Sequence, residues 1–89
     1  MSGMPDISIF TASELGQRLR AERKALGLTQ QQLATRVGVT RQTVIDMEHG
    51  NNVSLYVVMG ALAALGKALK VTDARANLDD VRAMFDETE

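Results

Sequence analysis

The stretch Thr29–Gly50, TQQQLATRVGVTRQTVIDMEHG, decides the reading of this chain. Thr29 fits a helix N-cap, and Gln32 three residues on completes a capping box. Leu28 before the cap and Leu33 inside the helix form a hydrophobic staple. The layout repeats eleven residues later, with Thr40 as cap and Val39 facing Val44. Gly38 supplies the left-handed residue that ends the first helix, and Gly50 does the same for the second. The spacing therefore predicts helices over about 30–37 and 41–49 that cross steeply around a glycine turn. That is a helix-turn-helix, whose second helix lies in the DNA major groove.

Working outward, Thr11 and Glu14 predict a second capping box with a Phe10–Leu15 staple, so a first helix starts near Ala12. Leu15, Leu19 and Leu26 form its inward stripe, and Gly27 ends it. Ser54 is the expected cap of a fourth helix, with Val53 and Val58 as staple and Gly66 as stop. From Leu55 to Leu65 this helix is apolar nearly all round, so it needs burial on more than one side. Helices 1–3 cover one side, and a second copy of the chain is the simplest cover for the other. Gly60, Ala61, Ala63 and Ala64 would let that copy approach closely. After Gly66, Lys67–Thr72 alternates, with Leu69 and Val71 on one face. A lone strand is unstable, so pairing with its copy across a dimer axis is expected; an irregular connector is the alternative. Asn77 is read as the cap of a short last helix carrying Leu78, Val81, Met84 and Phe85.

The ordered series Gly27-Leu28-Thr29-Gln30, Leu33-Ala34, Gly38-Val39-Thr40-Arg41-Gln42 and Glu48-x-Gly50 resembles the Cro/cI-type (XRE) helix-turn-helix family. The likeness runs from about Leu15 to Leu65. It implies an all-α, lambda-repressor-like bundle, here with a short C-terminal β-strand pairing across a dimer. Segment 54–73, SLYVVMGALAALGKALKVTD, resembles HipB-type antitoxins, although Val53 stands where many family members have a proline. The resemblance implies a repressor of its own operon that also binds a kinase-fold toxin. The domain reading is a flexible arm over 1–10, a DNA-binding domain over 11–66, a dimerising strand over 67–73 and an acidic tail over 74–89.

Eighty-nine residues make one domain with a small core, and such domains often gain stability by dimerising. The chain has no cysteine, which excludes a disulfide scaffold, and its longest apolar run is too short to span a bilayer. No charged-then-apolar leader is read at its start, so the cytoplasm is the expected location. The net charge of −1 divides unevenly. Residues 15–50 hold Arg18, Arg20, Arg23, Lys24, Arg36 and Arg41 against Glu22, Asp46 and Glu48, a local +3. Residues 77–89 hold Arg82 against Asp79, Asp80, Asp86, Glu87 and Glu89, a local −4. Local charge governs phosphate attraction, so the reading unit suits DNA and the tail does not. The tail either holds a partner or covers the end of the dimer core.

Arg41 leads the base-reading candidates. At the first position of helix 3 its charge opposes the helix dipole by about 0.3–1 kcal/mol, and its guanidinium matches guanine O6 and N7. Gln42 suits adenine or a phosphate, and Thr43 a thymine methyl or a phosphate. Asp46, one turn later, accepts from cytosine N4, repels the wrong sequence, or orients Arg41 or Gln42. Gln30, at the start of helix 2, is the expected phosphate clamp, with Arg18, Arg20, Arg36, His49, Asn51 and Asn52 flanking the groove. A histidine near a helix end also serves as a cap. The family resemblance implies that Arg23 and Glu48 pair to lock helix 3 to the scaffold. Leu62, Leu65, Leu69 and Val71 are the expected dimer interface.

With one histidine, no phosphate-binding glycine loop and no spaced ligand cluster, the sequence calls for no catalytic site, metal or cofactor. The expected partners are a palindromic double-stranded operator, a second copy and a kinase-fold toxin. A phage-type or restriction-controller regulator without a toxin is the alternative, followed by an adaptor that has lost DNA binding.

Overall fold

The computed structural model describes residues 8–74. Among these, four helices follow in order: α1 (Ala12–Ala25), α2 (Gln30–Val37), α3 (Arg41–Glu48) and α4 (Leu55–Ala64). Each begins at a hydroxyl cap. Thr29 Oγ1 accepts from Gln32 N–H, and Gln32 Oε1 accepts in return from Thr29 N–H at 2.8 Å. Thr40 caps α3 through Thr43 N–H, and Ser54 caps α4 through Val57 N–H. At α1 the reciprocal half is displaced by one residue. Thr11 accepts from Glu14 N–H, but the Glu14 carboxylate accepts from Phe10 N–H at 2.7 Å. Phe10 is left half exposed.

One core joins all four helices. Leu19 of α1, Leu33 and Ala34 of α2, Val44 and Met47 of α3, and Ala61, Leu62 and Leu65 from α4 and its end are buried. Leu28, Val39 and Val53 pack against this cluster from their places just before the caps, so the staples that set chain entry also seal the core. Truncating Leu19 or Leu33 to alanine removes atoms from a fully enclosed site, a change that costs about 2–5 kcal/mol.

Two glycines set the approach of α1 to α3. A Cβ on Gly16 would lie 2.5 Å from the carbonyl oxygens of Met47 and Glu48, so α1 rests directly on the end of α3. Gly50 takes φ +79°, and a Cβ there would lie 2.6 Å from Ser13 Cα. A side chain at either position would push the reading helix off its support.

Several expectations change. Leu26 is the C-cap of α1 and is 55% exposed, because the chain turns away there before α2. Leu62 and Leu65 belong to the core of a single chain, at 5% and 4% exposure, and so offer no surface to a second copy. Gly60 is small for an internal reason: a Cβ there would meet Val37 Cγ1 at 3.1 Å, where α4 crosses α2. Ala61 is likewise buried in the one-chain core. The outward side of α4 is formed by Leu55, Tyr56, Met59 and Ala63, so of the small residues expected there Ala63 does face outward. Residues 67–74 form neither helix nor strand in the single chain, and Val71 is 98% exposed. Residues 1–7 of the expected arm over 1–10, and the last helix after Asn77, lie outside the described residues. No helix among those described is long and apolar enough to cross a membrane.

Candidate nucleic-acid interface

Beneath the exposed start of α3 runs a chain of polar side chains whose order follows from donor and acceptor chemistry. Arg23 of α1 is buried with Glu48 at the end of α3. Its Nε donates to Glu48 Oε2 at 2.7 Å and its Nη2 to Oε1 at 3.2 Å. Two parallel charge-assisted bonds fix both distance and plane, as an ammonium would not. Arg23 Nη1 also donates to the Leu28 carbonyl at 2.7 Å, which ties the α1–α2 turn into the pair. Glu48 Oε1 accepts further from Gln30 Nε2 at 3.1 Å. The other end of that amide, Gln30 Oε1, receives Arg41 Nη2 at 3.4 Å. An amide between a carboxylate and a guanidinium has only one sensible orientation, nitrogen to anion and oxygen to cation. Every buried polar side-chain atom among the described residues has a partner.

The expected Arg23–Glu48 pair is therefore present, with Gln30 as a link the sequence alone did not reveal. Gln30 holds Arg41 from below while its own position opens α2, where free N–H groups favour an anion. Arg41 and Gln42 are exposed, and Thr43 is half-buried with its hydroxyl 3.0 Å from Thr40 Oγ1. Arg20, Arg23, Gly27, Leu28, Thr29, Gln30, Gln31 and Arg41 line one open polar depression of about 730 Å³. It brings the α1 arginines, the start of α2 and the start of α3 onto one face.

Arg18 lies elsewhere. Its Nε donates to Glu22 Oε2 at 2.8 Å, and Lys67, just past α4, reaches Glu22 Oε1 at 3.5 Å. The hydrogen bond from Arg18, aided by both cations, holds the Glu22 carboxyl below its ordinary value against the opposing effect of burial. Arg18 thus serves the α1–α4 junction, and Arg20, about half a helical turn round from it, takes its place on the polar face. The i,i+4 spacing of Arg18 and Glu22 was the available signal for this pairing. Glycine within an amphipathic helix is the sequence signal for the close approach at Gly16.

The remaining candidates scatter. Arg36 is exposed in the last turn of α2, and His49 is the exposed C-cap of α3. Asn51 Nδ2 donates to Asp46 Oδ1 at 3.4 Å. Asn52 lines a second depression of about 370 Å³ with Ala12, Leu15, Met47, Val53 and Val58. Asp46 is half-buried and also receives Gln42 Nε2 at 3.1 Å. Of its expected roles, orientation of Gln42 is the one this geometry displays.

Comparison with known proteins places this geometry in a family. A helix-turn-helix family model matches residues 19–71. An uncharacterised HTH-type transcriptional regulator of Methanothermobacter thermautotrophicus is 52% identical over 50 residues, covering 55% of this chain and 72% of that protein. Among solved structures, the restriction-modification controller protein C.AhdI from Aeromonas hydrophila is 40% identical. It superposes with a TM-score of 0.60 over 64% of this chain and 88% of its own. HipB in a complex with an O4 20mer is 25% identical, with a TM-score of 0.72 over 76% of this chain and 97% of that one. HipB within a HipA–HipB–O2–O3 complex gives 23% identity and a TM-score of 0.71, a likeness of fold.

Proposed function

This chain belongs to the XRE-type helix-turn-helix family of transcriptional regulators, and we propose that it is a sequence-specific repressor that binds a palindromic operator as a homodimer. One observation carries this reading: the line from Arg23 through Glu48 and Gln30 to Arg41, which fixes an exposed, cationic helix start on a buried scaffold. Preorganised groups at the tip of a helix are what base readout in a major groove requires.

In the bound state Arg41 takes guanine O6 and N7, and Gln42 takes the neighbouring base. Thr43, its hydroxyl turned onto Thr40, offers its methyl to a thymine. Gln30 and Arg20 bind the phosphates that flank the groove, and Arg36, His49 and Asn52 lie on the periphery. Arg18 drops out of this set, since it is engaged with Glu22. The second copy docks on Leu55, Tyr56 and Met59 of α4 and on Leu69 and Val71 beyond it.

An antitoxin role, with a kinase-fold toxin as second partner, is supported by the extent of the HipB likeness, which covers more of the chain than that to C.AhdI. The higher identity to C.AhdI, 40%, favours the second reading, a controller without a toxin. Duplex binding at two salt concentrations tests the shared part. Phosphate contacts make affinity fall steeply with salt, whereas an adaptor that has lost DNA binding gives no salt-dependent complex. Copurification of a kinase-like protein then separates the two regulators.

A further inference from the structure

Asp46 carries an inference that depends on the DNA-binding reading and goes beyond it. The residue is doubly misplaced for stability. Its negative charge sits in the last turn of α3, at the negative end of the helix dipole, with no basic residue in that turn. It also lies on the helix that is to meet phosphates. Among the described residues no ion pair neutralises it; its hydrogen bonds come from the amides of Gln42 and Asn51. Both amides donate to the same oxygen, Oδ1, and Asn51 N–H also donates to the Asp46 carbonyl at 2.9 Å. The carboxylate is therefore held from the end of α3 while it holds a side chain at the start.

We propose that Asp46 is a positioning residue: it fixes the Gln42 amide with Oε1 outward, so that Gln42 selects a base carrying an exocyclic amine in the major groove. An ionised carboxylate only accepts, so the amide meets it with nitrogen. The oxygen is left for the DNA, together with whichever N–H Asp46 does not use. Adenine N6 and cytosine N4 are the amine donors of the major groove, while guanine O6 and thymine O4 meet the amide oxygen as a repulsive acceptor pair. A free glutamine turns either way and discriminates less. Asp46 thus adds specificity by excluding the wrong bases, and its charge lowers affinity for DNA in general.

Two effects of opposite sign test this. Preferred sites are selected from a random duplex pool with the unmodified chain, Asp46→Asn, Gln42→Ala and the double variant. Asparagine keeps the shape but presents donor or acceptor, so it releases the Gln42 amide. The expected result is a preference for adenine or cytosine at one half-site position that falls about tenfold in each single variant and no further in the double. Non-specific duplex affinity of Asp46→Asn rises at low salt and converges with the unmodified chain at high salt. A merely structural role lowers both quantities. An unchanged preference in Asp46→Asn overturns the proposal, as does an Asp46→Asn effect that persists without Gln42, which would make Asp46 itself the reader. Failure of the unmodified chain to bind any duplex overturns the DNA reading as well, and shows before any variant is made.

Discussion

The start of α3 and the outer side of α4 are both exposed, but for opposite reasons. At α3 the exposed groups are polar and each is held from beneath, Arg41 by Gln30 and Gln42 by Asp46. At α4 the exposed groups are apolar, with Leu55 at 68% and Tyr56 at 90%, and Val71 just beyond at 98%. Among the described residues, a single chain therefore pairs every buried polar side-chain atom but leaves large apolar side chains uncovered. The first region is finished and awaits a ligand, while the second gains its stability from being covered.

The largest expected effect breaks the support under α3. Arg23→Met leaves Glu48 buried and unpaired and frees the Leu28 carbonyl, so it should cost about 3–5 kcal/mol in urea unfolding. Replacing Arg23 and Glu48 together with apolar residues should cost less. Additive losses in that double-mutant cycle would show that the two do not act as a pair.

Next comes the outer side of α4 and the segment after it. Val71→Asp should leave the unfolding free energy of the isolated chain within about 0.5 kcal/mol, because the side chain is 98% exposed. The same change should shift the proposed homodimer toward monomer in sedimentation and reduce operator affinity through the loss of paired half-sites. A wild-type monomer at micromolar concentration would contradict the dimer.

How far these two regions can be read in the sequence differs for a physical reason. Caps are local chemistry, so Thr11, Thr29, Thr40 and Ser54 each mark a helix start where the structure has one. The Arg23–Glu48 pair followed from the family resemblance. An all-apolar helix, by contrast, has no phase: nothing in Leu55–Leu65 tells Leu62 and Leu65, which are buried, from Leu55 and Tyr56, which are not. Arg18 could be told from Arg20 by its i,i+4 spacing to Glu22, whereas the placing of Arg20 beside Arg41 needed the packed helices. The role of Gln30 as a bridge required three helices to be in place at once.

The smallest effect lies at the α1–α4 junction. Glu22 has a folded pKa below its ordinary 4.5, owing chiefly to Arg18. A carboxyl shifted in this direction contributes stability that is complete above the unfolded value and is lost as pH falls through the folded one. Glu22→Gln should therefore flatten the acid limb of the stability–pH curve below about 4.5 and leave its neutral region little changed in slope. An acid limb unaltered by the substitution would remove Glu22 from that account.

Whether Arg41, linked through Gln30 to the buried Arg23–Glu48 pair, reads a base pair is decided by site selection from a random duplex pool with the unmodified chain and with Arg41→Ala. The expected result is two inverted half-sites about 34 Å apart, or a multiple of that, with Arg41→Ala weaker by about 1–3 kcal/mol and indifferent at one base pair of each half. No enriched sequence, or the same enriched sequence from both proteins, would contradict it.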